Sequence, residues 1–216
     1  MKDFTGYPGV VIGTGPSLAA VADDLRYFRS QDKIRLFGIN NTFNDFDLDC
    51  WIACDPAWHD FYGKIEIDCD QWHWREEICE KFGYKHIPGE WLPGLSTDRA
   101  KISFGHSSGW QALNLALHYG CNPLILVGYD MTYRENEPRH YFDGLSDAVG
   151  EYPQPIRKHS LFDKPDKTGL LYDYKNIADQ VDRGELPPII NCTPGSAMRW
   201  FPIMALQDAL ECQTIC

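Results

Sequence analysis

A doubly wound, mostly parallel α/β sheet of the Rossmann type is the fold class this sequence predicts, and three observations predict it. Short apolar and β-branched runs recur at intervals that leave room for helices between them. Most of these runs end in Gly, Asn or Asp, as strands do where they feed loops at the carboxyl edge of an open sheet. The first run, Gly9-Val10-Val11-Ile12, breaks into Gly13-Thr14-Gly15-Pro16-Ser17 and then opens an Ala-rich stretch, a pattern of strand, tight loop and helix. At 216 residues the chain suits one domain over 1–216, carrying a lid-like loop insertion over about 131–172.

Taken in order, the first helix is expected from Leu18 to Phe28, a second strand over Lys33–Ile39 and a third over Cys50–Cys54. Pro56 to Phe82 carries Trp58, Phe61, Trp72, Trp74, Ile78 and Phe82 as its apolar or aromatic members and is expected to be helical and amphipathic in pieces, packed on the sheet. A strand follows at Tyr84–Ile87. Pro88 to Phe104, with two Pro-Gly pairs, is expected to be a long loop. His106-Ser107-Ser108-Gly109 opens a helix that Gly120 ends, and Pro123–Val127 is a buried strand. The remaining elements are a helix over Asp173–Arg183, a strand over Pro188–Cys192, a polar turn at Thr193–Ser196 and a last helix over Ile203–Cys212.

Bulk composition narrows the function classes. A net charge of −11 argues against a broad electrostatic grip on DNA or RNA, although backbone amides can still hold a small phosphorylated ligand. No apolar run approaches membrane-spanning length and the N-terminal stretch lacks an apolar targeting core, so a cytoplasmic setting is expected. Self-association stays open. The eight cysteines form no C-x-x-C pair and match no zinc spacing, which predicts free thiols and no protein-bound metal. Cys212 and Cys216 are the ones expected at the surface.

The chemistry is expected at the polar strand ends. Gly13 and Gly15 permit close approach of a phosphate, Thr14 and Ser17 supply hydroxyls, and Pro16 suits a first helical turn, where no N–H is needed. Asn40 and Asn41 after the second run, Asp55 after the third, and Gly128 and Asp130 after the run at 123–127 are candidates for ligand contact. Ser107, Ser108 and Gly109 open a second helix, whose N-terminal amides could add anion-binding donors. A dinucleotide fingerprint is disfavoured by Leu18, where a third small residue belongs, and by Asn40, where an acidic residue belongs. The D-x-D triplets at 45–47, 47–49 and 68–70 are common in acidic chains and are left outside the site. In the insertion, His140 and His159 are candidates for a general base, and Tyr133 and Tyr141 for hydroxyl donors to a departing phosphate.

The ordered set GTGPSL (13–18), FGIN (37–40), ACDP (53–56), Ser108-Gly109 with an Ala-bearing helix, LILVGYD (124–130) and HYFD (140–143) resembles the bacterial family 42 sialyltransferases. It is equally similar to the motility-accessory-factor proteins and the 6-hydroxymethylpterin pyrophosphokinase-like domain. The resemblance implies a nucleotide-sugar-dependent glycosyltransferase working by direct displacement, with a nucleotide sugar and a hydroxyl-bearing acceptor as partners and no required cofactor. It places the donor phosphate at Gly13–Ser17, with Thr14 where those enzymes usually carry Asn. It implies His159 as base with His140 as competitor, and Tyr133 and Tyr141 at the leaving phosphate. The sialyltransferase Asn-Pro is Asp55-Pro56 here, and the Arg before Ser-Gly is absent. Both departures argue against gripping a sialic acid carboxylate, so a different donor sugar is expected. The alternatives are a pyrophosphokinase using ATP and Mg²⁺, and a nucleotide-binding module without catalysis.

Overall fold

The computed structural model describes residues 1–105, 107–132, 140–142 and 170–211. Among the described residues seven strands form one sheet in the order β5-β4-β3-β2-β1-β8-β9, and every pairing in it is parallel. These are β1 (Gly9–Ile12), β2 (Arg35–Ile39), β3 (Cys50–Ile52), β4 (Asp70–His73), β5 (Lys85–His86), β8 (Leu124–Val127) and β9 (Ile189–Asn191). A separate two-stranded parallel sheet pairs β6 (Gly89–Glu90) with β7 (Ile102–Ser103). From β1 the strands run outward to β5. The chain then crosses back through β6, β7 and α4 (Ser108–His118) to lay β8 on the free side of β1, where the strand order reverses.

β1 is buried along its whole length and its side chains alternate between two cores, as a period of two requires. Val11 faces α4 and α5 (Leu170–Asp182), joining Phe37, Leu113, Leu126, Tyr174 and Ile177. Val10 and Ile12 face the opposite layer. That layer holds α1 (Ala22–Ser30), α2 (Pro56–Tyr62), α3 (Glu76–Phe82) and α6 (Leu206–Glu211), through Leu25, Trp58, Ile78 and Leu206. Helices on both faces of a buried parallel sheet give the expected doubly wound class.

Four expectations on elements need correction. The first helix is split: a 3₁₀ turn over Pro16–Ala20 gives way at Val21 (φ −125°, ψ 0°) to α1. The stretch 56–82 is not all helix, because α2 ends at Gly63 (φ 70°) and β4 precedes α3. Asp70 hid that strand from a hydrophobicity reading. It is buried in β4 because Tyr119 donates to its carboxylate at 2.5 Å and Lys85 pairs with it. The span 88–104 holds β6 and β7, and Asn114 of α4 fixes it by accepting from both Ser96 N (2.9 Å) and Ser103 N (2.8 Å). The last helix starts only at Leu206, since Ile203 bridges to Asn191 instead.

Tyr119 also receives the Trp72 indole N–H at 2.9 Å, so one hydroxyl serves two buried partners. Burial alone would raise the Asp70 carboxyl, but its bonds from Lys85 and Tyr119 hold it below the usual carboxylate range. Tyr119→Phe is therefore expected to cost about 2 kcal/mol in urea denaturation, more than a neutral hydrogen bond, because a buried carboxylate loses its donor. A cost within 0.5 kcal/mol would show that the network does not carry the strand.

The six described cysteines are free. Burial pushes Cys69, Cys121 and Cys192 up to about 12, which suits inert core thiols. Cys212 and Cys216 lie outside the described residues. Two of the D-x-D carboxylates are held within the fold: Asp70 as above, and Asp49 by Leu36 N (2.9 Å) and Arg29 (3.0 Å). Among the described residues no helix is long and apolar enough to cross a membrane.

Candidate functional site at the carboxyl edge

The loops after β1 and β8 meet where the strand order reverses, the place where open α/β sheets form a ligand crevice. Backbone bonds tie them together: Gly13 N donates to Val127 O at 2.7 Å and Gly15 N to Gly128 O at 2.9 Å. The contact is close enough to require glycine on both sides. A Cβ on Gly13 would lie 2.5 Å from Gly128 O, and Gly128 itself has φ +71°.

Asp130 follows two residues on, buried, and its carboxylate points into the turn after β1. It accepts from Ser17 Oγ at 2.7 Å and from Ser17 N at 3.3 Å. A Cβ on Gly15 would lie 1.9 Å from Asp130 Oδ2. The space that the two glycines leave is therefore filled by a carboxylate and a carbonyl of this chain. Ser17 gives its donors to Asp130, and Leu18 N donates to Gly15 O. Pro16 occupies the first helical position, as expected.

Thr14 is the loop residue that reaches toward the insertion. Its carbonyl accepts from Tyr141 N at 2.8 Å, and its Oγ1 lies 3.2 Å from His140 Nδ1. The structure thus brings His140 to the loop. The Tyr141 ring lies against Phe46, with Arg26 and Asp45 beside its hydroxyl, and burial raises that hydroxyl above the ordinary tyrosine value. Tyr133 and His159 lie outside the described residues, as does most of the expected lid at 131–172.

The ends of β2 and β3 meet the start of α4. Ser108 Oγ donates toward Asn40 Oδ1 at 3.1 Å and accepts from Cys54 N at 3.0 Å. Asn40 takes a left-handed backbone (φ 45°), which Asn tolerates, and its carbonyl accepts from the Trp51 indole at 2.8 Å. Asn41 is engaged with the aromatic layer: Trp58 Nε1 donates to it at 2.9 Å and it donates to Tyr62 OH at 3.0 Å. Asp55 is exposed and caps α2 by accepting from Ala57 N at 3.0 Å. Ser107 caps α4, accepting from Trp110 N at 3.2 Å. Gly109 leaves room for Tyr129, whose hydroxyl donates to Gly109 O at 3.1 Å and would sit 2.7 Å from a Cβ there.

Sequence reasoning noted the turn 193–196 as a polar strand end but missed its role as a brace. Thr193 Oγ1 accepts from Tyr129 N at 3.0 Å, Ser196 Oγ donates to Tyr129 O at 2.6 Å, and Ala197 N donates to Asp130 O at 2.8 Å. The signal was the pair of hydroxyl residues in Thr193-Pro194-Gly195-Ser196, one strand away from Gly128–Asp130. Among the described residues no three His, Cys, Asp or Glu side chains group as metal ligands.

No family model matches this chain, and no curated protein does. Among solved structures, the chain is similar in fold to a Maf glycosyltransferase from Magnetospirillum magneticum AMB-1, with a TM-score of 0.61 and 14% sequence identity. The likeness covers 100% of this chain and 37% of that one, so the chain spans little more than a third of its neighbour's length and shares its fold over that part.

Proposed function

We propose that this chain is a glycosyltransferase that binds a nucleotide-linked sugar in the crevice between β1 and β8 and passes the sugar to an acceptor hydroxyl. The observation that carries this reading is the convergence on one edge of Thr14, Asn40, Ser108 and Asp130 with His140, whose Nδ1 is 3.2 Å from the Thr14 hydroxyl. The fold it shares with a Maf glycosyltransferase supports the same class. In the reaction the acceptor oxygen forms its bond to the anomeric carbon as the bond from that carbon to the phosphate oxygen breaks. The acceptor proton goes to a base, and the nucleotide leaves with the bonding electrons. His140 or His159 would be that base, and the contact of His140 with Thr14 favours His140. Tyr133 and Tyr141 would donate to the leaving phosphate.

Asp130 refines the donor's placement. Its carboxylate already takes the Ser17 donors, and a bare phosphate brought there would meet like charge. The turn after β1 therefore suits the hydroxyl-bearing part of the donor, whose O–H groups can donate to Asp130. The phosphate then belongs toward Thr14 and the insertion. A second reading, ATP and Mg²⁺ in a pyrophosphokinase, draws on the same carboxylate, which a cation could bridge to a diphosphate.

A melting screen over CMP-, UDP- and GDP-sugars, with and without Mg²⁺, tests this. One nucleotide class is expected to raise the melting temperature in proportion to the logarithm of its concentration. Its sugar should be hydrolysed or transferred, and His140→Ala should keep the melting shift while losing turnover by about 100-fold. No shift with any nucleotide sugar would end the proposal, and consumption of ATP only with Mg²⁺ would favour the second reading.

A further inference from the structure

Beneath the carboxyl edge, between α2 and β4, lie two histidines that the proposed chemistry does not use. His59 and His73 are both fully buried, with ring centroids 5.1 Å apart and planes at 83°. One nitrogen of each ring is engaged with backbone at a strand end. His59 Nε2 lies 2.8 Å from Ala53 O, the residue after β3, and His73 Nδ1 lies 2.9 Å from Arg75 N, two residues beyond it at the end of β4. The other two nitrogens, His59 Nδ1 and His73 Nε2, are sealed from solvent and make no hydrogen bond.

The partners fix the tautomers. A carbonyl can only accept, so His59 carries its proton on Nε2 and leaves Nδ1 as a bare lone pair. A backbone N–H can only donate, so His73 Nδ1 is the lone pair and Nε2 carries the proton. The sealed pair is therefore one acceptor and one donor on neighbouring neutral rings. A proton added to His73 has only Nδ1 to occupy, where it collides with the Arg75 N–H. A proton added to His59 has only Nδ1, in a pocket walled by Trp51, Trp58, Phe82 and Tyr84. A metal ion between the rings does not fit either, since His73 would have to give up the Nε2 proton while its Nδ1 stays an acceptor.

We propose that His59 and His73 form a clamp that holds the carboxyl ends of β3 and β4 in place while both rings are neutral, and that a proton on His73 Nδ1, which displaces the Arg75 N–H, releases it. What the clamp holds is the foundation of the candidate site. Ala53 precedes Cys54, whose N–H donates to Ser108, and α2 also carries Trp58, the donor to Asn41. The charged groups around His59 are Asp55 and Asp60, which favour a proton, and Lys81, which opposes it; the Tyr84 ring packs beside it at a tilt of 53°. Around His73 they are His59 and Arg75, which oppose a proton, and Glu77, which favours it, with the Cys79 thiol donating to the His73 carbonyl. Burial outweighs the nearby acids, and both rings are held below the ordinary histidine range, His73 at about 4.

The test uses the whole chain and no ligand, so its outcome is independent of the glycosyl-transfer reading. Imidazole nitrogen NMR at pH 7 is expected to show both rings neutral and both protonated on Nε2. On acidification the backbone amides of Cys54 and Arg75 are expected to shift together, with a midpoint well below 6.5. His59→Gln keeps a donor for Ala53 O, and His73→Asn keeps an acceptor for Arg75 N, while neither titrates. In the double variant the joint shift should vanish. An Nδ1-protonated ring, a midpoint near 6.5, or the same amide shifts in the double variant would overturn the proposal. If the double variant does not fold, the wild-type tautomers and midpoint decide alone.

Discussion

Gly15→Ala is expected to destabilise this protein by about 3 kcal/mol or more, a large effect for one methyl group. The new Cβ would lie 1.9 Å from Asp130 Oδ2 and 2.7 Å from Gly128 O. Gly15 has φ −68°, an ordinary value for any residue, so the cost comes from collision and not from backbone strain. The Asp130 carboxylate cannot swing away freely, because Ser17 Oγ and N both donate to it and Ala197 N holds its carbonyl. Asp130→Ala alone gives up the Ser17 bonds at a cost of about 1–2 kcal/mol. The double variant should be clearly better than the sum of the two, since the nearest collision is gone, yet still worse than Asp130→Ala because the Gly128 carbonyl remains. Guanidinium denaturation of the four proteins measures this. If Gly15→Ala falls within 0.5 kcal/mol of wild type, the two loops are not packed as described, and the glycine is free for a ligand.

That contrast shows where the sequence was legible and where it was not. The strand, loop and helix over 9–28 could be read from Val10-Val11-Ile12 and the glycines, because backbone sterics leave few other uses for such a run. The glycines do serve a close approach. The approaching group, however, is a carboxylate and a carbonyl from 115 residues further on, and nothing local to Gly13–Ser17 names it. The position of Asp130 after a strand places it on the carboxyl edge but carries no sign that it faces Ser17. β4 was missed for a related reason: Asp70 and Gln71 are polar, and the partners that make Asp70 tolerable inside, Tyr119 and Lys85, come from α4's end and β5. Helices such as α4, with Ser107 as its cap and Gly120 after its end, carry their own boundary signals and were placed to within a residue or two. Local chemistry specified the elements, and long-range pairing specified what each polar strand end is for.

The same long-range pairing gives the second large effect, a loss of stability on mild acidification that is set by His73. Its folded value of about 4 lies below the ordinary 6.5, so between those two values the unfolded chain binds the proton and the folded chain does not. Stability is therefore complete above pH 6.5 and falls as pH drops toward 4, by about 2.5 kcal/mol from His73 alone between pH 7.5 and 4.5. His59 is shifted in the same direction and adds to the loss. Asp49, raised by burial, works oppositely at the acid end of this window, because its folded form takes up a proton first. Asp70, held low by Lys85 and Tyr119, begins to lose its contribution as pH falls toward the ordinary carboxyl value of 3.8, below this window. Urea denaturation at a series of pH values between 7.5 and 4.5 separates these groups. His73→Asn, which keeps the acceptor for Arg75 N, should be less stable than wild type at pH 7.5 and yet lose markedly less on acidification. Equal slopes in the two proteins would mean that His73 takes up its proton in the folded chain at an ordinary pH, which its sealed Nε2 and its engaged Nδ1 forbid.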